Sequence, residues 1–182
     1  MKLISLEISD IKILEPEVYS DERGEFFEAY NYKKICELLG GGVTFVQDNQ
    51  SLSKKGVLRG LHYQINPCAQ GKLVRVVRGE IFDVAVDLRR SSPTFGHYVS
   101  YNLSSDNKKQ IWIPAGFAHG FLALSENVEV LYKTTGYYNP LCERCIKWDD
   151  STIKIKWPKG IGKTLSNKDM DGKNFKDTEY FD

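Results

Sequence analysis

The 182-residue chain predicts an all-β sandwich or barrel carrying a short peripheral helix. Three observations lead there. Apolar residues recur at every second position, as on a pleated strand with one buried face. The runs showing this are short and separated by Gly, Pro, Asn and Ser clusters that suit turns. Only one segment has a helical signature.

Taken in order, the amino-terminal stretch MKLISLEISDIKIL is interrupted by Glu7, Asp10 and Lys12, so it lacks the apolar centre of a signal peptide. No apolar run approaches the roughly 18 residues of a membrane span, and a cytoplasmic protein that avoids membranes is expected. Asn31 is placed to cap a helix running from Tyr32 through Leu39, which Gly40, Gly41 and Gly42 terminate. Gly71–Arg78 reads as a strand. Phe82, Val84, Val86 and Leu88 alternate with Asp83, Ala85 and Asp87, predicting a strand with one greasy and one mixed face. Gln110–Ile113 is a further strand, and Val128, Val130, Tyr132 and Thr134 alternate with Glu129, Leu131 and Lys133 in another. Ile153–Trp157 is the last expected strand. Met170 to Asp182 form a charged tail expected to be loosely held. The length suits one domain spanning residues 1–182.

Hydrophobic residues make up 41% of the chain and aromatics 12%, enough for a substantial core. The 25 basic and 24 acidic side chains leave a net charge of +1 and are interspersed, so nothing resembles a nucleic-acid footprint. An anionic ligand would have to be gripped locally. Cys36, Cys68, Cys142 and Cys145 form no disulfide framework by spacing, and reduced thiols are expected. Cys142 and Cys145 have the spacing of a zinc knuckle, but a structural site needs a second pair, and Cys36 and Cys68 stand alone. Gly160–Thr164 ends like a phosphate loop, yet Trp157 occupies the position of its first glycine. Of the three histidines, His62 is followed by Tyr63 and Gln64 rather than by a second ligand, so neither a metal nor a cofactor is expected. His97 adjoins the turn Ser92–Gly96 and reads as structural.

Two segments concentrate chemistry. In Gly56–Gln64, Arg59 and His62 have an odd spacing that would send them to opposite faces of a regular strand, and a bulge at Gly60 would let both face one cavity. Gln70-Gly-Lys72 follows closely. In Ile113–Phe121, Pro114 and Gly116 make a turn that delivers His119 to the next strand. Cationic groups directed into a barrel call for an anionic ligand or acidic partners.

These motifs, together with Asp21–Gly24, Phe45–Asn49, Gly79–Asp87, Ser92–Gly96 and Trp157-Pro158, resemble the dTDP-4-dehydrorhamnose 3,5-epimerase family from about Leu14 to Asp169. The resemblance implies a cupin-type jelly roll working without metal or cofactor, and a homodimer. It implies a dTDP-4-keto-6-deoxyhexose substrate, epimerised at C3 and C5 through enolates. A relative acting at one carbon only and a non-catalytic nucleotide-sugar-binding cupin are the alternatives. An imidazole titrates near about 6.5, which suits the role of base implied for His62, with Asp169 as its carboxylate partner. Tyr132 is implied as proton donor, Tyr138 as a rival, and Lys72 as the cation that stabilises the enolate oxygen. Arg23 and Arg59 are implied to fork onto the diphosphate, Phe26 to stack on thymine and Glu28 to accept from the base. Gln47, Asn49, His119, Glu143 and Lys168 are implied as further substrate contacts. Arg23, Phe26 and Glu28 are expected to come from the neighbouring subunit.

Overall fold

The computed structural model describes residues 1–182. Along the chain come β1 (Lys2–Ser5), β2 (Lys12–Glu15), β3 (Val18–Asp21), β4 (Gly24–Phe27), α1 (Tyr32–Leu38) and β5 (Gln47–Ser53). There follow β6 (Leu58–Gln64), β7 (Lys72–Arg78), β8 (Glu80–Asp87), β9 (Tyr98–Ser104), β10 (Gln110–Ile113) and β11 (Phe117–Ala123). The chain closes with β12 (Val128–Thr134), β13 (Glu143–Cys145), α2 (Asn167–Met170) and a 3-10 turn at Phe175–Asp177.

Six strands form one sheet in the order β1-β2-β10-β7-β12-β5, and five form a second in the order β13-β6-β11-β8-β9. Every ladder is antiparallel. The two sheets face each other as an all-β jelly roll of cupin type with short peripheral helices. Val74, Val76, Ile111, Ile113, Val128 and Val130 of the first sheet meet Ile81, Ala85, Val99, Leu103, Phe117 and Phe121 of the second. The hairpin β3–β4 is a separate two-stranded sheet with nearly all its residues exposed. Helix α1 begins where expected, with the Asn31 side chain accepting from Lys34 N–H at 3.1 Å.

The alternation in β8 has an unexpected outcome. The greasy set, Phe82, Val84, Val86 and Leu88, does not face the other sheet; it packs outward against Leu61, Tyr63, Ile146, Ile153 and Phe175. The mixed set, which includes Asp83 and Ala85, points into the barrel. A sheet buried on both faces needs a second cover, and the carboxy-terminal segment supplies it. Two sequence expectations are corrected by this. Ile153–Trp157 is not a strand: Ile153, Ile155 and Trp157 pack on the outer face of the sheet while their backbone joins no ladder. The tail is not loosely held: Phe175 is 6% exposed, Phe181 exchanges hydrogen bonds with Leu88 and Arg90, and Lys173 bridges to Ile146.

Candidate active site

The site begins with an irregularity in β6. His62 pairs with His119 and Arg59 with Phe121, so two residues of β6, Gly60 and Leu61, oppose the single Gly120 of β11. This is a β-bulge. It brings Arg59 and His62, three apart, to the side of β11 that carries His119 and Phe121. Both glycines are sterically required. A Cβ at Gly60 would lie 2.5 Å from the Cα of Gly120, and one at Gly120 would lie 2.7 Å from the Arg59 carbonyl oxygen. Gly60 also has φ +128°, which side-chain-bearing residues rarely adopt.

Around His62 lies a cavity of about 230 Å³ lined by Gln47, Asn49, Gln64, Gln70, Lys72, Tyr132, Tyr138 and Glu143. The first sheet contributes Gln47 and Asn49 from β5, Lys72 from β7 and Tyr132 from β12, and Tyr132 sits directly across the ladder from Asn49. The second sheet contributes His62 and Gln64 from β6 and Glu143 from β13.

His62 Nε2 lies 2.7 Å from Oδ1 of Asp169, which is 3% exposed. The same oxygen accepts from Gly60 N–H at 3.1 Å, and Oδ2 accepts from the Ser166 hydroxyl at 2.6 Å, within a reciprocal capping box that opens α2. Burial alone would push the Asp169 carboxyl up; hydrogen bonds from His62 and Ser166 outweigh it and hold the group at about 2. Cys145 also borders this pair, and its thiol, His62 and Asp169 present ligand atoms all within 4.8 Å of one another. The 2.7 Å separation of imidazole and carboxylate is that of a direct ion-pair contact, whereas two ligands of one tetrahedral zinc sit more than about 3 Å apart. Burial pushes the Cys145 thiol up to about 12.

The Lys72 ammonium donates to the His62 carbonyl at 3.3 Å. Burial drags it down to about 8, against the opposing pull of Asp83 and Glu143. His119 Nε2 lies 2.8 Å from the fully buried Asp83, and the other Asp83 oxygen, Oδ1, has no hydrogen-bond partner. Burial raises the Tyr132 phenol, with Arg59 acting the other way. The Tyr138 hydroxyl donates to Glu143 at 2.8 Å, which raises that phenol, and the same carboxylate pairs with Lys168. Tyr138 is 54% exposed and stands at the rim, its N–H donating to Gln47.

Thus His62, Asp169, Lys72, Tyr132, Tyr138, Gln47, Asn49, Glu143 and Lys168 meet around one cavity, with Arg59 and His119 beside it. Arg23, Phe26 and Glu28 do not join them. Arg23 forks onto Asp21, Phe26 is 72% exposed on the hairpin, and Glu28 pairs with Lys34. Sequence reasoning missed Asp83 and Ser166. Asp83 was legible only as a carboxylate on the mixed face of β8, and Ser166 as a capping residue three before Asp169.

The chain matches the sequence family described as dTDP-4-dehydrorhamnose 3,5-epimerase over residues 5–177. It is 58% identical to the dTDP-4-dehydrorhamnose 3,5-epimerase of Pseudomonas aeruginosa and 56% identical to that of Shigella flexneri, each alignment covering 100% of this chain and 99% of the relative. The crystal structure of the 3,5-epimerase from Legionella pneumophila, in complex with dTDP-4-keto-L-rhamnose, superposes with a TM-score of 0.94 at 50% identity, covering 98% of this chain and 94% of that one.

Proposed function

Because the chain belongs to the dTDP-4-dehydrorhamnose 3,5-epimerase family, we propose that it inverts C3 and C5 of dTDP-4-dehydro-6-deoxy-D-glucose to give dTDP-4-dehydro-L-rhamnose. The observation that carries the mechanism is the close pair of His62 and buried Asp169, Nε2 and Oδ1 2.7 Å apart, at a cavity that also holds Lys72 and Tyr132.

The C4 carbonyl acidifies the protons on C3 and C5, since either carbanion delocalises as an enolate. His62 removes the proton, and Asp169 fixes the imidazole tautomer and stabilises the imidazolium that forms. Lys72, charged at neutral pH, faces the developing C4 oxyanion; such a fixed charge in a water-poor site contributes on the order of 2 to 4 kcal/mol. Tyr132 returns a proton on the opposite face. Its hydroxyl has no hydrogen-bond partner within the chain, whereas that of Tyr138 is tied to Glu143 at the rim, which favours Tyr132 as donor. Arg59 binds the diphosphate, and Gln47, Asn49, His119, Glu143 and Lys168 hold the sugar directly or through their neighbours. Arg23, Phe26 and Glu28 serve the nucleotide of a second subunit's site in a homodimer, a reading supported by the exposure of all three on or just beyond a hairpin outside this chain's own cavity. No metal or cofactor takes part. No helix is long and apolar enough to cross a membrane, and the protein works in the cytoplasm, where a nucleotide-linked sugar would be met.

In deuterated buffer, the enzyme is expected to place deuterium at both C3 and C5 of the dTDP-4-keto sugar, with His62→Ala abolishing both signals. Label at C3 alone would replace this reading with a single-carbon epimerase. Ligand binding without any exchange would leave a binding protein.

A further inference from the structure

The loop between β6 and β7 carries Cys68, and the loop before β13 carries Cys142, 74 residues later. Their sulfurs lie 2.7 Å apart. The two loops are already laced together: Gln64 donates to the carbonyls of Cys68 and Tyr137 and accepts from Asn139 N–H, Ile65 N–H donates to the Cys142 carbonyl, and the Asn139 amide donates to the Cys68 sulfur at 3.2 Å. Cys142 is 8% exposed and Cys68 is more accessible. The second loop bears Tyr138 and leads directly into Glu143, so it forms the rim of the cavity.

We propose that Cys68 and Cys142 are a redox pair that a small disulfide oxidant such as oxidised glutathione converts to a reversible internal disulfide, stapling the two rim loops together. The Cys68 thiolate attacks one sulfur of the oxidant, forming a mixed disulfide and releasing one glutathione thiolate. The Cys142 thiolate then attacks the Cys68 sulfur and expels the second. Two electrons pass from the protein to the oxidant, and the two cysteine protons end on two molecules of reduced glutathione. The lacing hydrogen bonds, most of them from the Gln64 and Asn139 side chains, hold the sulfurs together beforehand, so closure to a bond of about 2.05 Å needs only a small approach. The pair is therefore favoured over Cys36 and Cys145, neither of which has a sulfur partner. This inference is independent of the epimerase reading.

The test is to treat the purified protein with oxidised glutathione, alkylate the remaining thiols and map the peptides by mass. The expected product is one Cys68–Cys142 cross-linked peptide lacking two hydrogens. Closing a 74-residue loop should also raise the melting temperature by roughly 5–10 °C, reversed by dithiothreitol. Cys68→Ser and Cys142→Ser should each lose the shift, and Cys68→Ser, at the more accessible position, keeps the test open if the buried variant folds poorly. Glutathione adducts without internal closure, a bridge to Cys36 or Cys145, or an unshifted melting temperature would overturn the proposal.

Discussion

Asp169 serves the cavity and the fold together. Its carboxyl is held at about 2 in the folded chain against an ordinary 3.8, so the folded state binds its proton less readily than the unfolded state does. The resulting stabilisation is complete above about pH 4 and disappears as pH falls through about 2. Asp169→Asn should therefore lower stability at neutral pH by roughly 2 kcal/mol in urea titrations, the gap to wild type narrowing below pH 4, and should lower kcat about 100-fold. Lys72 has the opposite balance. Burial lowers its pKa from 10.5 to about 8, so its charge destabilises the fold below pH 8, and the penalty is relieved as pH climbs toward 10.5. Activity is expected to fall on the alkaline side with an apparent pKa near 8, and Lys72→Arg should move that limb upward in a pH–kcat/KM profile. Lys72→Met should be nearly inactive yet more stable at pH 7, by roughly 1–3 kcal/mol. His62 and Lys72 were readable because scarce polar groups in Val- and Leu-rich strands call for a ligand. Asp83 was not, since a carboxylate in an alternating strand ordinarily marks the solvent side, and nothing local says that this face is roofed by a second sheet.

At the level of elements, the alternating strands were legible wherever pairing and burial agree, as in β10 and β12, whose bounds match the sequence expectation. They were misread where burial occurs without pairing. Ile153, Ile155 and Trp157 alternate because alternate side chains rest on β8 and its neighbours; Asp150, not a ladder, takes the N–H groups of Thr152, Ile153 and Phe175. The tail looked loose because its apolar residues are sparse, but Phe175, Tyr180 and Phe95 pack mutually with ring centroids 5.0 to 5.3 Å apart. Phe175→Ala should destabilise the protein by about 3 to 5 kcal/mol, measured as a lower urea midpoint with an unchanged slope. Were the segment loosely held, that midpoint would not move.

For the whole molecule, the decisive question is whether one chain completes a site. His62 lies in the barrel, whereas Arg23 and Phe26 stand on a hairpin that contributes nothing to the same cavity. Mixing inactive His62→Ala protein with inactive Arg23→Ala/Phe26→Ala protein under exchanging conditions should restore about one quarter of wild-type activity, since half the random dimers carry one intact site of two. No recovery would show that those hairpin residues do not complete the partner's site. His62, Lys72 and Tyr132 hang from interior strands of the two sheets, whose amides should exchange with solvent only when the whole barrel opens. The rim from 65 to 71 and from 135 to 142 is held outside the ladders by isolated turn and side-chain hydrogen bonds and should exchange orders of magnitude sooner. An arriving sugar would then meet proton-transfer atoms already in place and would have to organise only the doorway.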